Sequence, residues 1–407
     1  MTQPVKLFVN ASNTNSASGT DVGSLLVDKS YLLDVYPSLV PWIKAPALWL
    51  WGYNINYQLG DNTAVTKSSP VQTVAGGANW QQVACGYYHT AAIKTDGTLW
   101  VWGFSMNGGI GDNTMLTRAS PVQTIAGGTN WAQVAVGNRQ TAAIKNDGSL
   151  WLWGGDAYGQ LGDNTRVDKS SPVQTVAGGN NWKQVSAGYG HTAAIKTDGT
   201  LWAWGWNPYG QLGDNTRVSK SSPVQTIAGG TNWAQVACGQ YSTVAVKTDG
   251  SLWTWGNNSN GELGDNAISV PKSSPVQTVA GGNNWKQVAF SPAGYHVAAI
   301  KTDGTLWTWG NNVYGNLGQG TIVNGASPAQ TVAGGNNWKS VACGSSHTAA
   351  VKTDGSLWTW GRDTYGQLGD NTRVHKSSPV QTIAGGTNWK AVAGGYNYTA
   401  AISDSNF

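Results

Sequence analysis

The sequence predicts an all-β fold: a seven-bladed β-propeller of four-stranded blades, its ring closed by pairing an N-terminal strand with the C-terminal one. Three observations carry this expectation. The motif Trp-x-Trp-Gly occurs seven times in 407 residues, ending at Gly52, Gly103, Gly154, Gly205, Gly256, Gly310 and Gly361, at intervals of 51 residues apart from one of 54. A second marker, Asn-Trp, also occurs seven times, from Trp80 to Trp389. The last copy breaks off at "YTAAISDSNF", without its turn and its Leu-Trp-x-Trp-Gly strand, whereas the first begins with an orphan "LWLWG" at Leu48 to Gly52. Fixed periods of this length mark solenoids and propellers. Two incomplete ends that complete each other select the closed ring, which leaves only short, protected sheet edges.

Each unit reads as four short strands. In the first they are "PVQTV" (70–74), "QQVACG" (81–86), "HTAAIK" (89–94) and "TLWVWG" (98–103), bounded by Gly, Pro, Asn and Asp clusters. Asp96-Gly97 is a strong signal for a tight hairpin with left-handed turn residues. Trp100 and Trp102 share one face of their strand because side chains alternate, and both tryptophans are present in every copy. That face is expected to pack against the neighbouring unit. Residues 48–407 form the ring and residues 1–47 an arm outside it. Within the arm, "NASNTNSASGT" reads as a spacer, and "SLLVDKSYLLDVYPSLVPW" is apolar enough to dock, with a neighbouring subunit as the expected contact. The segment Trp42 to Lys44 is a competitor for the closing edge.

Composition bounds the function. Charged residues are 11% of the chain and the net charge is +4, which disfavours a nucleic-acid partner. The first twenty residues carry one Lys and an apolar run of three, short of a secretory signal, and no apolar stretch predicts membrane insertion. Cys85, Cys238 and Cys343 occupy one repeat position, filled by Val136, Ala187 or Gly394 elsewhere. They are expected to be buried free thiols rather than metal ligands or disulfides.

The run "YGQLGDNT…SSPVQT…NW.QV..G..HTAAI..DG.LW.WG" resembles the repeat of the regulator of chromosome condensation family over roughly residues 48 to 403. The resemblance, with phage and bacterial chains carrying similar "TDGTLWTWG" repeats, implies a seven-bladed propeller and leaves function open, since one ring hosts many roles. The extra projection of members that act as nucleotide exchange factors has no counterpart, because no loop exceeds its siblings by more than two residues. The Gly-Trp-Arg-His-Thr motif of the photoreceptor branch is matched by "GYYHT", "GNRQT", "GYGHT", "GQYST", "GSSHT" and "GYNYT", none with Trp after Gly. This argues against photoreception.

Nor do the repeated polar residues read as catalytic. His89, His191, His296 and His347 share a position with Gln140, Ser242 and Tyr398, as expected of a hydrogen-bonding framework group. The Asp-Gly aspartates have a turn explanation. One Asp per "GDN" loop, at Asp61, Asp112, Asp163, Asp214, Asp265 and Asp370, supplies too few ligands for a calcium ion. The lysines at Lys94, Lys145, Lys196, Lys247, Lys301 and Lys352 read as solvated charge balanced by the Asp two residues on. No catalytic residue, cofactor or metal is expected.

Recognition is expected where the copies differ: the pair after the inner Gly and the loop after Trp-Gly. The candidate binding face comprises Tyr87, Tyr88, Arg139, Tyr189, Tyr241, Tyr295, Tyr396 and Trp206. Low charge, tyrosine-rich loops, unpaired cysteines and no export signal together point to a virion structural protein, a decoration or host-attachment component assembled in the host cytoplasm. Its partners would be other virion proteins or a host-surface molecule. The alternative is a cellular regulator of the chromosome condensation type, acting on a protein partner such as a small GTPase.

Overall fold

The structure, a computed structural model, describes residues 46–75 and 79–404. Their strands, β1 to β28 in chain order, form seven antiparallel four-stranded sheets. A representative blade consists of Trp80–Cys85 (β3), His89–Lys94 (β4), Leu99–Gly103 (β5) and Arg118–Gln123 (β6), hydrogen-bonded in that order. The β3 equivalents meet one another around the axis and line a central channel of about 290 Å³. The β6 equivalents lie outermost.

Blade and sequence unit are out of phase by one strand. The segment around "PVQT" in each unit pairs back onto the preceding Trp-x-Trp-Gly strand, so it closes the blade before it. It also begins earlier than the sequence predicts: the outermost strand after β1 (Ala47–Gly52) is Lys67–Gln72 (β2), not residues 70–74. The physical reason is the loop after Trp-Gly, which turns the chain back antiparallel so that Gly103 pairs with Arg118.

Each sheet is packed on both faces, as a radial stack requires. Trp102 is fully buried against Leu48, Leu50, Ala400 and Ile402 of the neighbouring blade. Its indole N–H donates to the Gln58 carbonyl at 2.9 Å. On the opposite face, Ile93, Leu99 and Val101 pack with Trp131, Val134 and Trp153 of the next blade. Trp100 behaves differently from Trp102, being half-buried at the far end of the strand.

Polar staples cross the same seams. His89 Nε2 pairs with Thr141 Oγ1 of the next blade at 2.7 Å, and His191–Thr243, His296–Thr348 and His347–Thr399 repeat the contact. Burial lowers all four histidines, to about 4 for His89 and about 3 for the others, so they are neutral framework groups. Gln140 and Ser242 reach backbone carbonyls from the same position. Nearer the axis, Gln82 donates to Val134 O and accepts from Val134 N, a pattern continued by Gln133, Gln184 and Gln235.

The ring closes as the incomplete ends predict. β1 pairs antiparallel with Tyr398–Ser403 (β28) in unbroken register, from Ala47↔Ser403 to Gly52↔Tyr398. This closing blade lacks the glutamine staple on both sides, because Ser340 and Ala391 stand at the donor positions. Tyr398 compensates at one seam: its hydroxyl donates to His89 O at 2.8 Å and accepts from Thr90 Oγ1 at 2.9 Å. The three cysteines are free and buried. Residues 1–45 of the arm, including Trp42 to Lys44, lie outside the described residues, whereas Ala47 already belongs to β1.

Candidate functional site

The ring has two faces, defined by which turns reach them. The β3–β4 turns and the loops after Trp-Gly open on one face, and the Asp-Gly turns of β4–β5 on the other. On the first face the turn backbones of neighbouring blades are hydrogen-bonded to one another. Tyr87 N–H donates to Gly137 O, Asn138 N–H to Gly188 O and Tyr396 N–H to Gly86 O, a circuit of bonds between neighbouring blades. Gly86 is required there: a Cβ would lie 2.4 Å from Gly137 O. The two residues that follow, Tyr87 and Tyr88 in this turn, are half-buried on this face.

Those residues form a continuous aromatic network. Tyr396 stacks on Tyr87 at 3.9 Å between ring centroids, and Tyr87 contacts Tyr88 at 4.6 Å and Tyr189 at 6.4 Å. Tyr189 meets Tyr241 at 5.7 Å and Trp206 at 6.2 Å, Trp206 meets Tyr241 at 5.0 Å, and Tyr241 meets Tyr295 at 5.9 Å. Seven of the eight residues singled out in the sequence therefore touch in one chain of rings. All seven are half-buried. Burial and neighbouring tyrosines push the Tyr87 and Tyr295 hydroxyls upward, so these rings stay neutral.

The eighth, Arg139, is exposed and lines a small notch with Tyr88, Phe104, Met106 and Asn138. Its charge opposes the rise that burial imposes on Tyr88. The residue-by-residue prediction missed the second rank of rings, contributed by the loops after Trp-Gly: Phe104 beside Tyr88, Tyr158 and Tyr209 around Trp206, and Tyr53 against Tyr365. Arg362 lies over Tyr314 and Tyr365 at 5.0 and 5.7 Å. Their signal was the variability of that loop, which marks a zone but does not say which ring turns inward.

The opposite face is uniform. Asp96 Oδ1 accepts the Thr98 N–H at 2.9 Å and its hydroxyl at 2.7 Å, and the Trp100 indole donates to Thr98 Oγ1 at 2.9 Å. Lys94 Nζ lies over Trp80 and Trp100 at 4.9 and 4.6 Å. The same lysine–tryptophan arrangement recurs at Lys145, Lys196, Lys247, Lys301 and Lys352. These lysines are thus cations held against two indoles, not charges balanced only by a nearby carboxylate; the quadrupole of the ring face supplies the attraction. In the loops after Trp-Gly, which belong to the first face, the Asp of each "GDN" segment caps its own turn. Asp61 Oδ1 accepts from Thr63 N–H, Thr63 Oγ1 and Asn54 Nδ2, and its second oxygen faces Lys67.

Comparison with known proteins places these features. A family model described as an RCC1-like domain matches residues 44–321, and models of the regulator of chromosome condensation (RCC1) repeat match residues 303–351, 338–367 and 354–402. The chain is 33% identical over 345 residues to the ultraviolet-B receptor UVR8 of Arabidopsis thaliana, covering 81% of this chain and 76% of the receptor. It is 29% identical to the human E3 ubiquitin-protein ligase HERC2, over 83% of this chain but 7% of that protein. Among solved structures, human WBSCR16 superposes with a TM-score of 0.79 at 22% identity, covering 89% of this chain and all of that one. Prp20p of Saccharomyces cerevisiae does so with 0.78 at 18% identity, covering 90% and 93%. At these identities the structures establish the fold alone.

Proposed function

We propose, since the chain belongs to the regulator of chromosome condensation (RCC1) repeat family, that it is a non-enzymatic binding propeller whose tyrosine face holds a protein partner. The carrying observation is the network from Tyr396 through Tyr87, Tyr189, Trp206 and Tyr241 to Tyr295. It is built from positions that the scaffold leaves free to differ between blades. Large rigid rings with polar tips are the side chains that dominate binding hot spots, and they order at small entropic cost. Prp20p is described together with its binding to Gsp1p and histones, and yeast RCC1 (Prp20) with Kap60 bound. A protein occupant is the reading that such relatives favour for this chain.

The repeated polar groups point away from catalysis. The four histidines are buried, neutral and paired with threonines, so none is poised to exchange a proton with a substrate. Among the described residues, no group of three metal-ligating side chains converges.

A second reading, a virion component meeting other virion proteins or a host-surface molecule, is favoured by the 11% charge content and the neutral aromatic face. One experiment addresses both. Affinity capture from source cells with the wild-type chain and with Trp206→Ala plus Tyr241→Ala, read by mass spectrometry, should yield a protein lost only from the variant. A soluble regulatory protein in that position supports the first reading, and particle proteins the second. Equal capture by both chains excludes the tyrosine face.

A further inference from the structure

Seven loops follow the Trp-Gly step, and one position in them is always buried: Asn54, Ser105, Asp156, Asn207, Asn258, Asn312 and Asp363. In the asparagine copies the side chain closes the loop from inside. Asn54 Oδ1 accepts the Leu59 N–H at 2.9 Å, and Asn54 Nδ2 donates to Asp61 Oδ1 at 2.9 Å, Thr63 O at 2.8 Å and Val65 O at 3.3 Å. Asn207 repeats this with Leu212, Asp214, Thr216 and Val218. The Nδ2 corner is therefore surrounded by acceptors.

In two blades an aspartate replaces the asparagine without moving the loop. Leu161 N–H donates to Asp156 Oδ1 at 2.9 Å, and Leu368 N–H to Asp363 Oδ1 at 2.9 Å, as in the asparagine copies. Asp and Asn are isosteric, so an oxygen now stands at the corner where an N–H₂ donated. The nearest hydroxyls, Thr165 at 3.5 Å and Thr372 at 3.3 Å, already donate to Asp163 and Asp370 at 2.6 and 2.7 Å. A bare carboxylate there would face only acceptors, and a buried like-charged pair is resolved by retaining a proton.

We propose that Asp156 and Asp363 each carry a proton near neutral pH, donated within the loop as Asn54 donates its amide, and that losing it loosens these two loops. The corner is filled by the side chain's own oxygen, which leaves a proton rather than a metal ion as the missing donor. Burial raises both groups to about 7, with Asp163 and Asp168 adding to the rise at Asp156, and Asp370 at Asp363. The facing cations are Lys169, 3.2 Å from Asp163, and Lys376, 3.6 Å from Asp370. Asp168 accepts the Asp156 N–H and the Asn107 amide, and His375 Nδ1 accepts the Asp363 N–H with Arg362 adjacent in the chain.

These loops carry Tyr158, stacked on Trp206, and Tyr365, against Tyr53. If the tyrosine face is the binding face, as proposed above, the proton regulates it: two of its rings are held in place below neutral pH and released above it.

The test compares wild type, the double variant Asp156→Asn/Asp363→Asn and, as a gain of function, Asn207→Asp. Folded carboxyls that titrate near 7, against about 4 unfolded, make stability fall as pH rises between those values and level off above 7. The double variant should therefore gain over wild type by up to tenfold per pH unit per site in the unfolding constant across pH 4 to 7. N207D should lose by the same slope. Amide exchange corrected for intrinsic rate should quicken above pH 7 in residues 156–168 and 363–375 but not 207–219, and N207D should transfer the effect to 207–219. Carboxyl carbon NMR placing both aspartates near 4 overturns the proposal. So does calcium-dependent stabilisation at pH 8.5 that the double variant abolishes. Capture of the same protein by wild type and the Trp206→Ala plus Tyr241→Ala variant would remove the binding reading and leave the proton in place.

Discussion

The two faces of the ring are built from the same strands and follow opposite rules. On the Asp-Gly face, six blades repeat one arrangement: aspartate capping threonine or serine, that hydroxyl holding an indole, and a lysine over two indoles. On the tyrosine face, the turn residues differ in every blade, while the backbone beneath them donates to the next blade in the same way at Tyr87, Asn138, Gln240, Ser345 and Tyr396. Uniformity marks groups whose partners lie within the blade or its neighbour, so every copy must keep them. Variation marks groups whose rings point past the scaffold. The closing blade sharpens the contrast. It has no Asp-Gly turn and puts Ser403 where the others have lysine, with Trp49 donating to its hydroxyl at 3.1 Å.

The largest expected effect breaks the scaffold that both faces share. Trp204→Ala removes a fully buried indole and its bond to Gln160 O at 2.8 Å. It should cost about 3–5 kcal/mol, measured by denaturant unfolding, and a midpoint close to wild type would contradict the packing.

Acid comes next. Four buried histidines lowered to about 3–4 stay neutral in the folded ring, whereas in the unfolded chain they protonate below about 6.5. Their contribution is complete above that value and is lost as pH falls toward 4. The thermal midpoint should drop through this window, and His191→Gln, copying the Gln140 blade, should shrink the drop. An unchanged slope in that variant would mean the histidines are not the titrating groups.

Smaller still is the uniform face at its surface. Lys196→Ala should cost about 1 kcal/mol through the lost cation–indole contacts, and leave partner capture intact. Of similar size in stability is Trp206→Ala: its indole is half-buried, and about 1 kcal/mol of aromatic contact is lost.

Most of the fold was legible because period, turn chemistry and the broken ends agreed. The strand pairing of Leu48 to Gly52 with Tyr398 to Ser403 followed from the missing hairpin alone. The phase of the blade was not legible, since "PVQT" reads equally well as a first or a last strand until its pairing is seen. The tyrosine positions were visible as differences between copies. The second rank of rings, and the Lys94 position over two indoles, depend on side-chain direction in three dimensions, which a linear pattern leaves open. Asp156 was hidden for a related reason: it looks like ordinary loop variation until burial shows an acid standing where its siblings donate.

The proposed division makes one face scaffold and the other the recognition surface. Binding of whatever protein the wild-type chain captures should be measured by calorimetry for Trp206→Ala and Lys196→Ala, both checked to be folded. Trp206→Ala should weaken binding at least tenfold, a hot-spot loss of about 1.4 kcal/mol or more, while Lys196→Ala should leave it unchanged. The reverse pattern, with Lys196→Ala losing the partner and Trp206→Ala keeping it, would place recognition on the uniform face.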